Sequence, residues 1–420
     1  MIQIDILLSS EVKTFIHKNR NVTVSELMLK MPAFSIDSKW IAAQIEGWQK
    51  AISKLPLWAN NEKIIYPIRL SMEQCSSERT GQYKASLVQG KCVVDLTGGF
   101  GVDTFYLSKS FDKVFYIEQQ EELAQIAAHN FNVFEQENIS VLIGNSNEIL
   151  KSITESIDLI YLDPARRKDA QKVFKLSDCE PNVEALQDFY FDISLNILIK
   201  TSPMLDIAEA LRQLKNVKEI YIVSVDNECK EVLYLLDKNF SGEATYTCVH
   251  DYKKLVQSFS FNASFENSFK ADLSMPLTYL YEPNPSILKA GGFNSIADAY
   301  KLLKLHPSSH LYTSETYIKE FPGRIFKIKN SVGYNKKEIQ ACTPTGKANI
   351  QTRNFPDSVE SIRKKTGLKD GGNIFIFATT LLDSTKTLLV CEKYSEGLYL
   401  LILFSLNLIN IVHSHFSLMA

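Results

Sequence analysis

Val93-Val94-Asp95-Leu96-Thr97-Gly98-Gly99-Phe100-Gly101-Val102-Asp103 is the stretch that decides the fold. An apolar strand ends on an aspartate, breaks into a glycine-rich turn and runs into a helix start. Such a βα corner brings backbone N–H groups to the carboxyl edge of an open sheet, where nucleotide-like ligands bind. A dinucleotide loop reads G-x-G-x-x-G, but after Gly99 and Gly101 the third glycine position holds Thr104. No Walker lysine follows, so a nucleotide triphosphate is not expected. A looser loop opening on Asp95 suits a cofactor with an amino-acid end. The cofactor's carboxylate would lie near the loop amides, and Asp95 would face its ammonium directly or through water.

Further markers lie outward from this corner. Glu118 stands 19 positions after Gly99, at the end of the strand Val114-Phe115-Tyr116-Ile117. An ionised acid there has two oxygens for the two hydroxyls of a ribose; the plain alternative is an exposed glutamate at a helix start. Gly144-Asn145-Ser146 closes a third strand, where the edge of an adenine would reach Asn145. Asp163-Pro164-Ala165-Arg166-Arg167 follows the strand Leu159-Ile160-Tyr161-Leu162. Proline fixes φ and supplies no N–H, which leaves Asp163 to orient a substrate group. Arg166 and Arg167 either grip a phosphate or carboxylate or brace the loop against Asp178 or Glu180.

Around these markers, strand and helix alternate. Strands are expected at 92–97, 113–118, 140–144, 158–163, 196–201, 219–225 and 244–250. Helices are expected at 121–134, 147–152, 183–191, 206–214 and 228–237. Alternation of this kind gives a doubly wound, Rossmann-like parallel sheet with its ligand beyond the carboxyl ends of the strands. Residues 1–88 read as a helical N-terminal domain in which Trp40, Ile41, Ile45 and Trp48 share one face as core residues. The sheet domain spans 89–275. After Tyr281-Glu282-Pro283-Asn284-Pro285 a small unit runs over 276–320, and a last α+β unit over 321–393 contains strands at 324–329 and 373–379 and a helix near 357–365.

Of the 420 residues, 45% are apolar, which excludes global disorder, and the net charge of −2 excludes a polycation. Charge is uneven, however: residues 319–370 carry 12 Lys and Arg against 5 Asp and Glu, a balance of +7. That points to an anionic partner or to a solvated basic face. Seven scattered cysteines with no C-x-x-C pair argue against a disulfide framework, and neither they nor the seven dispersed histidines outline a metal site. The first ten residues lack the basic lead of a signal peptide, so a reducing, cytoplasmic setting is expected. Residues 394–420 form an apolar tail. The last 23 residues hold no Asp, Glu, Lys or Arg, but Asn407, Asn410, His413 and His415 interrupt the run, so a membrane span is not expected.

The series Asp95-Leu-Thr-Gly-Gly-Phe-Gly-Val-Asp-Thr, Glu118 and Asp163-Pro-Ala-Arg-Arg resembles the class I S-adenosylmethionine-dependent methyltransferases. More narrowly, it resembles the bacterial methyltransferases that carry a THUMP-like domain. Glu73-Gln74-Cys75-Ser76-Ser77-Glu78 with Tyr83-Lys84, Cys179-Glu180-Pro181, Lys200-Thr201-Ser202-Pro203 and Glu228-Cys229-Lys230-Glu231 agree with that family. So do Tyr281-Glu282-Pro283 and Ser361-Ile-Arg-Lys-Lys in the C-terminal part. The resemblance implies S-adenosylmethionine as cofactor, held by Asp95, Gly98, Gly99, Gly101, Glu118, Asn145 and Asp163. It implies catalysis at Asp163, Pro164 and Arg166, and RNA as the partner of the THUMP-like part, which is expected to be a small α+β structure; the alternatives are a methyltransferase of a small molecule or protein, and a catalytically inert RNA-binding protein.

The acceptor atom is partly constrained. Enzymes that methylate exocyclic base amines usually follow Asn/Asp-Pro with a second proline and an aromatic platform, and here Ala165 and Arg166 stand in those positions. The Asp-Pro-x-Arg form is closer to pyrimidine-carbon methyltransferases, which need a cysteine nucleophile. Cys179 and Cys229 are the nearest in sequence, and for both small apolar packing is the stronger reading. Direct transfer to nitrogen or oxygen is the expectation.

Overall fold

A computed structural model describes residues 2–166, 175–252 and 255–394. The chain divides into two compact units. One holds residues 1–225 and 229–247, the other residues 226–228 and everything from 248 onward.

Seven strands line up in the first unit: β1 (Gly90–Asp95), β2 (Phe111–Glu118), β3 (Ile139–Ile143), β4 (Leu159–Leu162), β7 (Asn196–Thr201), β8 (Val217–Val225) and β9 (Glu228–Asp237). Two two-residue strands, β5 (Ala165–Arg166) and β6 (Cys179–Glu180), pair separately. Among these seven the order is β8–β9–β7–β4–β1–β2–β3. β1 pairs in parallel with β2 and β4, β2 with β3, and β4 with β7. The chain therefore reverses its winding between β1 and β4, where such sheets open a crevice at the strand ends. Leu198, Ile199, Ile160 and Val93 are all fully buried, as expected where helices cover both faces of a parallel sheet.

The helix expected at 228–237 is instead strand β9, antiparallel to β7. Val232, Leu233, Tyr234 and Leu236 are buried, and a short apolar run of this kind has no periodicity that separates a buried helix from a buried strand. The turn before it is the cue: Asp226 and Asn227 both have positive φ, 49° and 65°, the backbone of a two-residue hairpin.

The N-terminal helices share a core with the sheet rather than forming a body of their own. Asp37 caps the helix Ser38–Lys54 through Lys39 N–H, and Trp40, Ile41 and Ile45 face inward, with Trp48 half-buried. Trp58 packs on Phe100 beside the glycine loop, with ring centroids 4.8 Å apart, and on Phe105 and Phe134. Two buried side-chain amides stitch the segment 65–66 to the rest. Asn130 exchanges two hydrogen bonds with the Ile65 backbone, and Gln44 two with that of Tyr66.

The chain passes into the second unit within β10 (Thr245–Tyr252) and continues through β11 (Leu255–Asn262), a strand beyond those expected from sequence. The main sheet of this unit comprises β12 (Tyr279–Pro283), β13 (Leu303–Lys304), β14 (Tyr312–Ser314), β15 (Gly323–Gly333), β16 (Asn349–Arg353), β17 (Ile374–Thr380) and β18 (Lys386–Lys393), in the order β13–β14–β12–β15–β18–β17–β16. Alternate residues fill two cores. Ile376 and Leu388 join Ile339 and Ile362 in one, while Phe377 and Leu389 join Phe326 and Leu280 in the other. Period-two alternation is what puts neighbours on opposite faces. Residues 395–420, with the apolar tail, lie outside the described residues, and among the described residues no helix is long and apolar enough to cross a membrane.

Candidate active site

The carboxyl ends of β1, β2 and β4 bring Asp95, Glu118 and Asp163 to one edge of the sheet. The loop between β1 and the helix Val102–Leu107 is locked from below. Gly98 N–H donates to Ile117 O at 2.9 Å, and a Cβ on Gly98 would stand 2.2 Å from the Tyr116 ring. Tyr116 is buried, and its hydroxyl donates to Gly99 O at 2.6 Å. Only glycine allows this closeness. Gly101 adopts φ +85°, left-handed, at the helix N-cap.

Glu118 is aimed by two backbone donors. Its Oε2 accepts from Gly99 N–H at 2.9 Å and its Oε1 from Gln120 N–H at 2.8 Å. Each oxygen keeps lone-pair capacity for one more donor. A Cβ built on Gly99 would meet nothing nearer than Thr97 O at 3.7 Å, so this side of the loop has room for a ligand. Asn145 caps the helix Ser146–Ser152, its Oδ1 accepting from Asn147 and Glu148 N–H. Its acceptor is thus engaged in the cap, and the amide N–H₂ is the group that remains for a ligand.

Asp95 takes a different place from the one expected. It is 1% exposed, and its oxygens accept from Thr97 N–H at 2.9 Å and from the Thr104 hydroxyl at 2.6 Å. Burial pushes its carboxyl up to about 7. This geometry ties the loop to the following helix and leaves little surface for a ligand's ammonium.

Asp163 is half-buried. Its N–H donates to the Thr97 hydroxyl at 2.7 Å and its Oδ2 pairs with Lys200 on β7. Oδ1 has no partner among the described residues. Pro164, lacking an N–H, offers no local donor to compete for it. Ala165–Arg166 pairs with Cys179–Glu180 in the short ladder, whereas the Arg166 side chain and Arg167 lie outside the described residues.

Lys200 leads into a buried ionic cluster that sequence reasoning did not assemble. Its ammonium also lies 3.6 Å from Asp103. Asp103 accepts from the Ser76 hydroxyl at 2.8 Å and the Tyr161 hydroxyl at 2.7 Å, and pairs with Lys84 at 3.2 Å. Lys84, fully buried, donates to both oxygens of Glu231, at 2.7 and 2.8 Å. Burial works against the Lys200 ammonium, but Asp163, Asp103 and Glu231 outweigh it and hold its pKa above the ordinary range. Burial likewise opposes the Asp103 carboxylate, but Lys84 and Lys200 prevail and hold it low. For Glu231 burial wins and its pKa is raised. The signal for these residues lay in the stretches Glu73–Lys84, Lys200–Pro203 and Glu228–Glu231, each already matched to the family. Their convergence was invisible because Lys84 and Glu231 are 147 positions apart.

Neither candidate cysteine stands out as a nucleophile. Cys179 lies in the two-residue ladder with its thiol 3.6 Å from Lys175 O, and Cys229 is on β9. Cys75 is nearer the cluster, beside Lys54 and Lys200, yet burial pushes its thiol up. Among the described residues no group of His, Cys, Asp and Glu is placed to hold a metal.

Residues 90–239 match the family model described as RNA cap guanine-N2 methyltransferase, residues 279–322 a ferredoxin-like domain model, and residues 323–393 a THUMP domain-like model. The chain is 32% identical to the "putative methyltransferase" from Porphyromonas gingivalis W83, covering 94% of this chain and 100% of that one, with a TM-score of 0.84. A ribosomal RNA methylase from Streptococcus thermophilus matches at 18% identity over 38% of this chain and 94% of its own (TM-score 0.30). TrmK of M. capricolum, solved with S-adenosylhomocysteine, matches at 14% over 38% and 68% (TM-score 0.31). No curated protein matches the chain.

Proposed function

The chain belongs to the family of the Porphyromonas protein, methyltransferases in which ferredoxin-like and THUMP-like segments follow the catalytic sheet, and from that premise we propose that it methylates RNA, drawing on S-adenosylmethionine and acting on a nitrogen or oxygen atom. The observation that carries the reading is Glu118. Its carboxylate is fixed by the Gly99 and Gln120 amides at the lip of an open glycine loop, one strand away from the end of β1 and two from Asp163.

The donor set fits the cofactor. Two aimed oxygens on Glu118 match a ribose diol, and the Asn145 amide matches a ring nitrogen of adenine. When bound, S-adenosylmethionine supplies an electrophilic methyl group. The protein's own part is to hold the acceptor in line with it, and orientation of this kind supplies much of the acceleration in such transfers. Asp163 Oδ1 accepts a hydrogen bond from the N–H or O–H of the acceptor, which points its lone pair away from the carboxylate. Asp163 would also be the base placed to take up the proton that the acceptor gives up. Lys200 and the Thr97 hydroxyl fix the Asp163 side chain and backbone from behind. No thiolate is used, in keeping with the raised Cys75 thiol.

Calorimetry tests the cofactor claim. Wild-type protein binds S-adenosylmethionine, and Glu118→Ala loses about tenfold or more in affinity, as expected when hydrogen bonds to a charged group are removed. Mass spectrometry of nucleosides from a strain lacking the protein tests the substrate claim, with one methylated nucleoside missing. An unchanged nucleoside profile, together with intact cofactor binding, would move the activity to a small molecule or protein.

A further inference from the structure

We propose that the N-terminal helices enclose a binding site for a short aliphatic carboxylate, with the Tyr66 hydroxyl and the Arg20 guanidinium as its donors. The cavity has a volume of about 70 Å³. It is lined from the helices Ser10–Lys18 and Ser38–Lys54 and from the segment 61–66, all within the first unit, and shares no residue with the candidate active site. At about 10–15 Å³ for each water-sized sphere, it has room for about five to seven non-hydrogen atoms. That is an acid the size of butyrate.

Tyr66, 4% exposed, is seated rigidly at this cavity. Gln44 exchanges hydrogen bonds with its backbone at 2.8 and 2.9 Å. Its ring lies against Gly47, where a Cβ would stand 2.3 Å from Tyr66 Cβ, so any side chain at 47 would push the ring away. The hydroxyl at the far end of this fixed ring is buried and has no hydrogen-bond partner among the described residues. Buried polar groups normally find one.

Arg20 stands beside it. Burial pushes the Tyr66 hydroxyl up and the Arg20 charge opposes that push, so the two groups lie within electrostatic reach of each other. The guanidinium sits 4.5 Å over the Trp48 ring, and its Nε is buried without a hydrogen-bond partner among the described residues. Held by stacking on a flexible stem, it can swing until one anion reaches both donors. The lining selects the kind of anion. Lys13 and Arg20 face Glu62, a balance of +1 that suits a single negative charge. Two donors at one end match the two oxygens of a carboxylate, whereas a phosphate brings more charge and more acceptor oxygens than these groups answer. Leu7, Leu8, Ile16, Ile64 and Ile65 supply an apolar wall for the alkyl chain.

The test uses the full chain in calorimetry with three probes: sodium butyrate, butyramide and inorganic phosphate. Butyrate is expected to bind saturably, and butyramide, of the same size without the charge, about tenfold or more weaker. Phosphate does not displace butyrate. Arg20→Gln and Tyr66→Phe each weaken butyrate about tenfold, as when one hydrogen bond to a charged group is lost. Tyr66→Phe also controls for folding. It removes a buried hydroxyl that has no partner, so its urea midpoint without butyrate stays at or above the wild-type value. No saturable butyrate binding to the wild type would leave both donors to ordered water and overturn the proposal. So would equal affinity for butyramide, displacement of butyrate by phosphate at equal concentration, or wild-type butyrate affinity in both variants. These readouts involve neither methyl transfer nor RNA, so failure here leaves the proposed activity standing.

Discussion

Asp95 and Glu118 stand on neighbouring strands and differ in every respect that matters. The sequence marks both as cofactor ligands by position. Only Glu118 keeps free acceptor capacity at an open edge, whereas Asp95 has both oxygens engaged inside the loop. Position along a strand is legible in sequence. Which way a carboxylate turns is not, because that depends on the Thr104 hydroxyl nine residues on. The buried state of Asp95 predicts a pH effect. Its folded pKa lies near 7 against 3.8 for the free group. A raised acid binds more protons folded than unfolded, so its contribution to stability is full below pH 3.8, declines between there and pH 7, and is level above. Asp95→Asn removes that decline. Urea unfolding at pH 5 and pH 8 is expected to show the wild type losing, relative to the variant, of order 2 kcal/mol over the interval. Parallel pH dependence in the two proteins would show that Asp95 does not titrate there.

The helix Glu78–Leu87 and the strand β9 share the ionic cluster, and here local pattern was least informative. The helix is announced by its cap: Ser77 and Thr80 form a reciprocal capping box. Nothing local announces that Lys84 on this helix is wholly buried, since lysine at a helical position reads as solvated. β9 differs from expectation for a related reason: it lies between β8, joined to it by the tight turn at Asp226-Asn227, and β7, and pairing on both sides, not propensity, makes it a strand. The strand ends at Gly98 and Asp163, by contrast, are legible because turn chemistry is local. The cluster carries an energetic consequence. Lys84→Met leaves Glu231 and Asp103 buried with Lys200 as their remaining cation. Removing one partner of a buried pair costs about 3–5 kcal/mol, so the variant's urea midpoint is expected to fall accordingly. Lys84→Met with Glu231→Leu, which removes the pair together, recovers most of the loss. A single variant as stable as wild type would mean that water reaches Glu231.

Net charge for the chain is −2, yet the segment 319–370 alone is +7. An imbalance of this size is costly to keep in one segment, because like charges repel within the folded state, and a polyanion offsets it. The whole protein is therefore expected to bind RNA with a salt dependence set by the number of phosphates its cations contact. Four cations, Lys319, Arg324, Arg353 and Lys393, line a groove in the second unit. At about 0.7 counterions released per phosphate of a single strand, they give a slope of log K against log salt of about −3. Anisotropy titrations of the full chain between 50 and 400 mM KCl would measure it. A slope near zero would mean that the basic segment is only a solvated face. A slope steeper than about −6 would require roughly twice the groove's complement of contacts, and the basic residues beyond it, among them Lys336, Lys337, Lys364 and Lys365, would then have to share the strand. A slope of about −3 that flattens by about 0.7 for each cation removed from the groove would locate the phosphate contacts one at a time, and would tie the charge asymmetry of the sequence to the groove that gathers it.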